Sequence, residues 1–451
     1  MKKWIIILLL SAAGAFCLPA KAGYPYEWLS RGITPEMSSS AVIHWRTGPE
    51  STRAVAQIAP ATASPEIKAT ARTVEASSRV LDDYGTVRCY HTVLFEGLSP
   101  DSDYLYRIGD GGGMWSEWFD LHTASAGPRD FRFIYIADVQ SGIADQYPRV
   151  IRRAYGQAPD AAFVVFTGDL TERALNDQYD DFFSANGWII AQKPVVAVPD
   201  NHEYPKDGDG VRRQLGTWWD HLFRYPWNAP APLSSLGFYT FDYQGCRLVM
   251  LNTRAFEDLD AEGKDLAFGW IEGLLRDNPC RWTVVVQHKP LYSVADRRHV
   301  DEDMLHLKSL YERYGVDLVI SGHDHVYGRT STRDGRGRRH PPVCVTSVAG
   351  SGMYPPSYSG IQDRIGSVSQ FYQVVTVGKS TLQLDTYDAT GSLYDSFRIQ
   401  VRGGRKKFRD GAPDLPERTA LPAERGKKYD DASWRRLDSL RMQYDQSRRI
   451  R

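Results

Sequence analysis

Five stretches of this 451-residue chain end in side chains able to bind metal ions. The last is Ser321-Gly322-His323-Asp324-His325, directly behind the apolar run Asp317-Leu318-Val319-Ile320. Two imidazoles one residue apart on an extended turn reach two neighbouring points in space, which suits a pair of metal ions better than one. A lone His-x-His is weak, because long chains contain it by chance. Four earlier stretches repeat the arrangement. Residues 131–137 run into Asp138, 162–167 into Gly168-Asp169, 194–198 into Pro199-Asp200-Asn201-His202-Glu203, and 282–287 into His288.

Each run is short and apolar at nearly every position, the pattern of a strand buried on both faces, and ligands gather at the carboxyl ends of such strands in open α/β sheets. Helical stretches are expected at about 146–157, 176–185, 264–277 and 301–314. Strand character returns at 343–348, 372–377, 382–387 and 393–401. The sum is a mixed sheet pair flanked by helices. Residues 23–123 read differently. Ser40 to Arg46 and Tyr90 to Phe95 alternate with period two, and Tyr104 and Tyr106 share a face after the turn at Pro100-Asp101. This is a small β-sandwich with Trp45 in its core, joined through a linker at 124–130 that carries Gly127 and Pro128.

The ordered motifs, an Asp, a Gly-Asp, an Asn-His-Glu, a Val-x-x-His and a Gly-His-x-His between Asp138 and His325, resemble the calcineurin-like metallophosphoesterases and, within them, the purple acid phosphatases. Residues 172–176, 288–293 and 325–329 look like the purple acid phosphatase version, and the resemblance runs from about Ala22 to Val401. It implies a fibronectin-III-like N-terminal domain over 23–124 and an αββα metallophosphoesterase domain over 125–402. It also implies two divalent or trivalent metal ions, with iron, zinc and manganese all admissible. By motif matching, Asp169 bridges the ions, Asp138 and His325 hold the first, and Asn201, His288 and His323 hold the second. Metal-bound hydroxide would then attack a phosphate ester. His202 would orient the phosphate and protonate the leaving group, the alternative being a hydrogen bond to a neighbouring loop. Asp324 is expected to face away and fix the loop. Glu203 has no assigned role, and His44, His91, His122, His221, His299, His306 and His340 are read as surface or core residues.

The chain departs from purple acid phosphatases at three places. Asp138-Val139-Gln140 stands for Asp-x-Gly, and Gly168-Asp169-Leu170-Thr171-Glu172 lacks the tyrosine that colours the family, so a colourless protein is expected. Gln140 occupies the place of a metal-binding histidine in other metallophosphoesterases and is a candidate ligand, directly or through water. Asp200 replaces a glycine, adding a carboxylate that would weaken anion binding.

Composition narrows the classes. Lys and Arg total 55 against 55 Asp and Glu, so no bulk charge calls for nucleic acid. Met1 to Ala22 reads as a signal peptide ending in Ala20-Lys21-Ala22, which predicts export to the periplasm or beyond the cell, with no transmembrane segment after cleavage. Cys89, Cys246, Cys280 and Cys344 are too widely spaced for a disulfide scaffold. At most two disulfides are expected, with four free thiols the preferred reading. From Arg402 on, fifteen Lys or Arg stand against eight Asp or Glu. Residues 403–451 are read as a flexible basic tail, able to make a weak contact with a membrane surface or anionic glycan. Trp434, Leu437 and Tyr444 form only a weak helical face.

The leading expectation is an exported dinuclear phosphoesterase acting on small phosphomonoesters, with diesters second. The alternatives are a degenerate relative that binds a phospho-ligand without hydrolysis, and a surface-binding module built on the sandwich and the tail. The loop 204–230, with Trp218, Trp219 and Trp227, is expected to shape the substrate pocket or else simply to pack.

Overall fold

The computed structural model describes residues 24–83, 85–206, 214–216 and 219–449. The expected signal peptide and Trp218 lie outside the described residues. The N-terminal part consists of two four-stranded antiparallel sheets. One has the order Glu27–Arg31, Ser40–Thr47, Thr86–Glu96, Ser77–Asp83, and the other Arg72–Glu75, Val55–Pro60, Asp103–Gly109, Phe119–His122. Alternation sends Ile43, Trp45, Val93, Phe95, Tyr106 and Ile108 into the layer between them, as period-two strands must pack to remove one face from water.

The rest of the chain builds two seven-stranded mixed sheets. The first runs Val195–Ala197, Val164–Phe166, Phe131–Ile136, Phe371–Val377, Thr381–Asp388, Leu393–Arg402, Arg405–Asp410. The second runs Tyr239–Tyr243, Cys246–Met250, Trp282–Val286, Leu318–Ser321, Arg339–Thr346, Tyr327–Arg333, Arg364–Gly366. Leu248, Met250, Val284, Val286 and Ile320 share one core with Phe133, Tyr135 and Val375 of the first sheet. Their neighbours Val249, Val285 and Val319 instead meet Ile271, Met304, Leu307 and Tyr311 of the helices Ala261–Arg276 and Glu302–Tyr314. Both faces of these strands are therefore apolar. The helices Tyr147–Gln157 and Asn176–Asn186 add Val150, Ile151 and Phe182 to the first core. The fold is a metallophosphatase-type αββα sandwich behind a β-sandwich.

The motif strands do not share one sheet. Those leading to Asp138, Asp169 and Asn201 are parallel neighbours in the first sheet, and those leading to His288 and His323 are parallel neighbours in the second. Stacking the two sheets brings both carboxyl edges to one place. The two sandwiches are tied by Arg46, only 1% exposed, which donates to Glu27 Oε2 at 2.7 Å, Asn176 Oδ1 at 2.7 Å and Asp180 Oδ1 at 3.0 Å.

The expected flexible tail is corrected. Arg405–Asp410 pairs antiparallel with Leu393–Arg402, and Asp431–Arg449 is a helix whose Leu437 and Tyr444 pack with Val294, Ala295, Val326 and Tyr358. The strand satisfies an otherwise open sheet edge. The helix needs only a narrow apolar stripe because a matching patch awaits it. Among the described residues no helix is long and apolar enough to cross a membrane, and Cys89, Cys246, Cys280 and Cys344 are free. Trp219 belongs to the core, against Phe223, and the half-buried Trp227 packs onto it against Tyr239.

Candidate metal centre

The site forms where five strand ends meet, and its backbone is unusual. Asp138, Asp169, His323 and His325 all have positive φ, at 49°, 54°, 75° and 51°. Residues other than glycine rarely adopt this left-handed region, and such strain concentrates at functional sites. Glycines permit the close approach: a Cβ on Gly322 would lie 2.3 Å from Asp138 Oδ2. The backbone N–H of His323 instead donates to both Asp138 oxygens, at 2.8 and 2.9 Å.

Asp138, Asp169 and His325 are buried and offer ligand atoms that all lie within 4.8 Å of one another. His288 Nε2 is 3.1 Å from Asp169 Oδ2 and 3.9 Å from Asp138 Oδ1, and its ring centroid is 5.0 Å from that of His323. Asn201 opens the short turn Asn201–Glu203 and lines a cavity with His323. Gln140 places its amide nitrogen 2.9 Å from His325 Nε2 and 3.2 Å from Asp169 Oδ2, so its amide sits inside the cluster. His202 lies at the rim, with Nε2 3.9 Å from Asp169 Oδ2 and Nδ1 2.5 Å from the Glu172 carbonyl.

Three features fit bound cations. His288 Nδ1 meets the Thr167 carbonyl at 2.7 Å and His325 Nδ1 the Gly352 carbonyl at 3.0 Å. A carbonyl only accepts, so each Nδ1 carries a proton and each ring turns its Nε2 inward, the usual arrangement of ligating histidines. Against the opposing effect of burial, Asp169 and Asp200 favour the charged form of His288 until a cation takes the place of its second proton. Gln140 Oε1 is buried without a hydrogen-bond partner among the described residues. The charges also conflict without a cation. Burial, reinforced by Asp169, pushes the Asp138 carboxyl up to about 8, despite the opposing pull of His288. Burial opposes ionisation of Asp169 too, but His288 and His202 hold its carboxyl below the usual range. Two adjacent buried carboxylates cannot both ionise freely, and a cation removes that conflict.

Sequence reasoning left Glu203 without a role. It is fully buried and accepts N–H groups from Asp169 at 3.0 Å, Leu170 at 2.7 Å and Asp200 at 2.8 Å, tying the Asp169 loop to the Asn201 turn. Its place three residues after Asp200 completes a capping box, a signal present in the sequence. Asp200 itself turns away from the cluster, accepting from Thr253 Oγ1 at 2.5 Å and the Arg254 N–H at 2.9 Å. The expected extra carboxylate at the site is thus engaged elsewhere. Asp324 faces away as expected, accepting from the Val294 and Ala295 N–H groups. His299, read as a surface or core residue, lines the cavity beside His323.

Comparison with known proteins agrees with this geometry. Residues 131–327 match the calcineurin-like phosphoesterase family model and residues 32–123 the purple acid phosphatase N-terminal domain. Purple acid phosphatase 23 of Arabidopsis thaliana is 24% identical over 273 residues, covering 53% of this chain and 57% of the relative. Human acid phosphatase type 7 is 26% identical, covering 53% and 56%. The phosphoenolpyruvate phosphatase of Allium cepa is 24% identical, covering 65% and 63%. The matches thus span under two thirds of each of these relatives. The fold is shared with a purple acid phosphatase from yellow lupin seeds (TM-score 0.67, 17% identity, 84% of this chain and 74% of the other). It is shared equally with PhoD (TM-score 0.64, 14% identity, 96% and 100%). With its motifs in order, its strand ends converging and both family models matched, the chain carries a calcineurin-like phosphoesterase domain over residues 131–327 behind a purple acid phosphatase N-terminal domain over residues 32–123.

Proposed function

We propose that the protein is an exported, metal-dependent phosphoesterase that hydrolyses small phosphate esters, monoesters before diesters. The observation that carries this reading is the buried Asp138–Asp169–His325 cluster with inward-facing Nε2 atoms on His288 and His325. Asp138, Asp169, Gln140 and His325 would hold one cation, and Asp169, Asn201, His288 and His323 a second. Bound there, the two ions would neutralise phosphoryl charge and lower the pKa of water towards about 7. His202 donates Nδ1–H to the Glu172 carbonyl, which directs Nε2 to the rim, where as the imidazolium its Nε2–H would orient the phosphate and pass that proton to the departing oxygen, leaving the neutral ring. Asp169 fixes that histidine by accepting its backbone N–H at 3.1 Å. The limits 23–124 and 125–402 for the two domains, and export directed by Met1 to Ala22, belong to this reading.

The Gln140 amide favours a second reading, a binding protein with a weakened first site, because its NH₂ donates to two of the atoms that would hold the ion. Hydrolysis assays separate the two. Mature protein is stripped by chelation and given manganese, zinc or iron, then assayed with an aryl phosphomonoester and the matching diester beside Asp169→Asn. Turnover restored by metal and lowered at least a thousandfold in the variant is expected. Bound metal by elemental analysis, with no turnover under any metal, would reject hydrolysis in favour of binding.

A further inference from the structure

A cavity of about 290 Å³ opens on the His323 side of the centre, lined by Asn201, Lys289, Arg297, Arg298, His299 and His323 among others. This is the lower end of the size range of small-ligand sites. Its cations are not equivalent. Lys289 Nζ is paired with Glu257 Oε1 at 2.6 Å and lies 3.5 Å from Asp301 Oδ2. Arg297 donates to Ser433 Oγ at 2.6 Å and to the Lys428 carbonyl. The third acidic group on the wall, Asp324, is turned to the backbone of Val294 and Ala295. Arg298 pairs with no carboxylate among the described residues: it donates to His323 Nε2 at 2.8 Å and the His323 carbonyl at 3.4 Å, and faces the Tyr354 ring.

A neutral imidazole has one acceptor nitrogen. In His323 that acceptor is engaged by Arg298. A cation held through Nε2 takes that lone pair, and one held through Nδ1 leaves the ring proton on Nε2, so in either case the guanidinium loses its ring acceptor and keeps only the long carbonyl contact. It also stays in place, because its loop is clamped from two sides. Asp324 holds residues 293–295, and Arg436 of the C-terminal helix donates to both Asp296 oxygens at 2.8 and 3.0 Å.

We propose that Arg298 is a specificity residue which, in the metal-loaded protein, receives the oxyanion of a second anionic group on the substrate. The chain then selects phosphate esters that carry a carboxylate or another phosphate over those with neutral leaving groups. This rests on the phosphoesterase reading for the position of the scissile phosphate. The test is titration calorimetry of metal-loaded, full-length protein with phenylphosphonate and its 2-, 3- and 4-carboxy derivatives, on wild type, Arg298→Ala and Arg298→Gln. At least one carboxy isomer is expected to bind about tenfold or more tighter than phenylphosphonate, as charge-assisted hydrogen bonds do. That gain should vanish in both variants. Metal affinity, measured by competition with a chromophoric chelator, should be unchanged or tighter in the variants, since a competing donor is gone from His323. No gain for any isomer, or a gain that survives in both variants, would overturn the proposal. Hydrolysis without discrimination sinks this inference alone, whereas discrimination without hydrolysis of any ester sinks the phosphoesterase reading alone.

Discussion

Glu203 shows how one residue can govern a site without facing it. Its carboxylate gathers three backbone N–H groups from two loops, and these loops carry Asp169, Asn201 and His202. Replacing it by glutamine keeps the shape but puts an NH₂ group where only acceptors fit, leaving at least one buried N–H unsatisfied. Glu203→Gln should therefore lose about 1–3 kcal/mol of stability in denaturant unfolding. Metal affinity should fall about 10–100-fold, as for other residues that orient ligands. Unchanged values for both would show that the loops hold themselves.

At the scale of elements, the β-sandwich has buried two histidines as neutral rings. His44 is 2% exposed and bonded to Thr92 Oγ1, and His91 is 1% exposed between Thr47 and Ser78. Burial, aided by Arg224, lowers His44 to about 3, and burial lowers His91 to about 4. In the unfolded chain both titrate near 6.5. Below that pH the unfolded state binds more protons than the folded one, so the stability these rings contribute is complete above about 6.5 and drains away as pH falls towards 4 and 3. For His44 alone the loss between pH 7 and 4.5 should be about 2–3 kcal/mol. Urea unfolding of wild type and His44→Gln at the two pH values measures it, and the same pH dependence in both proteins would refute the assignment.

On the scale of the whole molecule, the C-terminal helix closes the structure. Leu437 is fully buried against the segment that leads to Arg298, so Leu437→Ala should cost about 2–5 kcal/mol. A change below about 0.5 kcal/mol in denaturant unfolding would mean the helix does not dock. Deleting residues 402–451 is for the same reason not a neutral test of surface binding. It would strip an edge strand from the first seven-stranded sheet and uncover Val294, Ala295 and Val326.

Strands buried on both faces announce themselves as unbroken apolar runs, and chemical groups stand at their ends because sheets deliver ligands there. This is why Asp138, Asp169, Asn201, His288, His323 and His325 stand out as candidates in the linear chain, and why the four main helices and the β-sandwich were legible there. The sequence could not assign those strands to two sheets, because an apolar run carries no record of its neighbour. Nor could it show the left-handed backbone of four site residues, the turning of Asp200 towards Thr253, or the meeting of Arg298 with His323 across 25 positions. The C-terminal helix was hidden for a related reason. Its apolar stripe is too thin to be read by periodicity, and it becomes an element of the fold only where Val294, Ala295 and Val326 present a surface to receive it. Local pattern determined which elements form and what their ends offer. Stacking of the two sheets decided which of those ends meet.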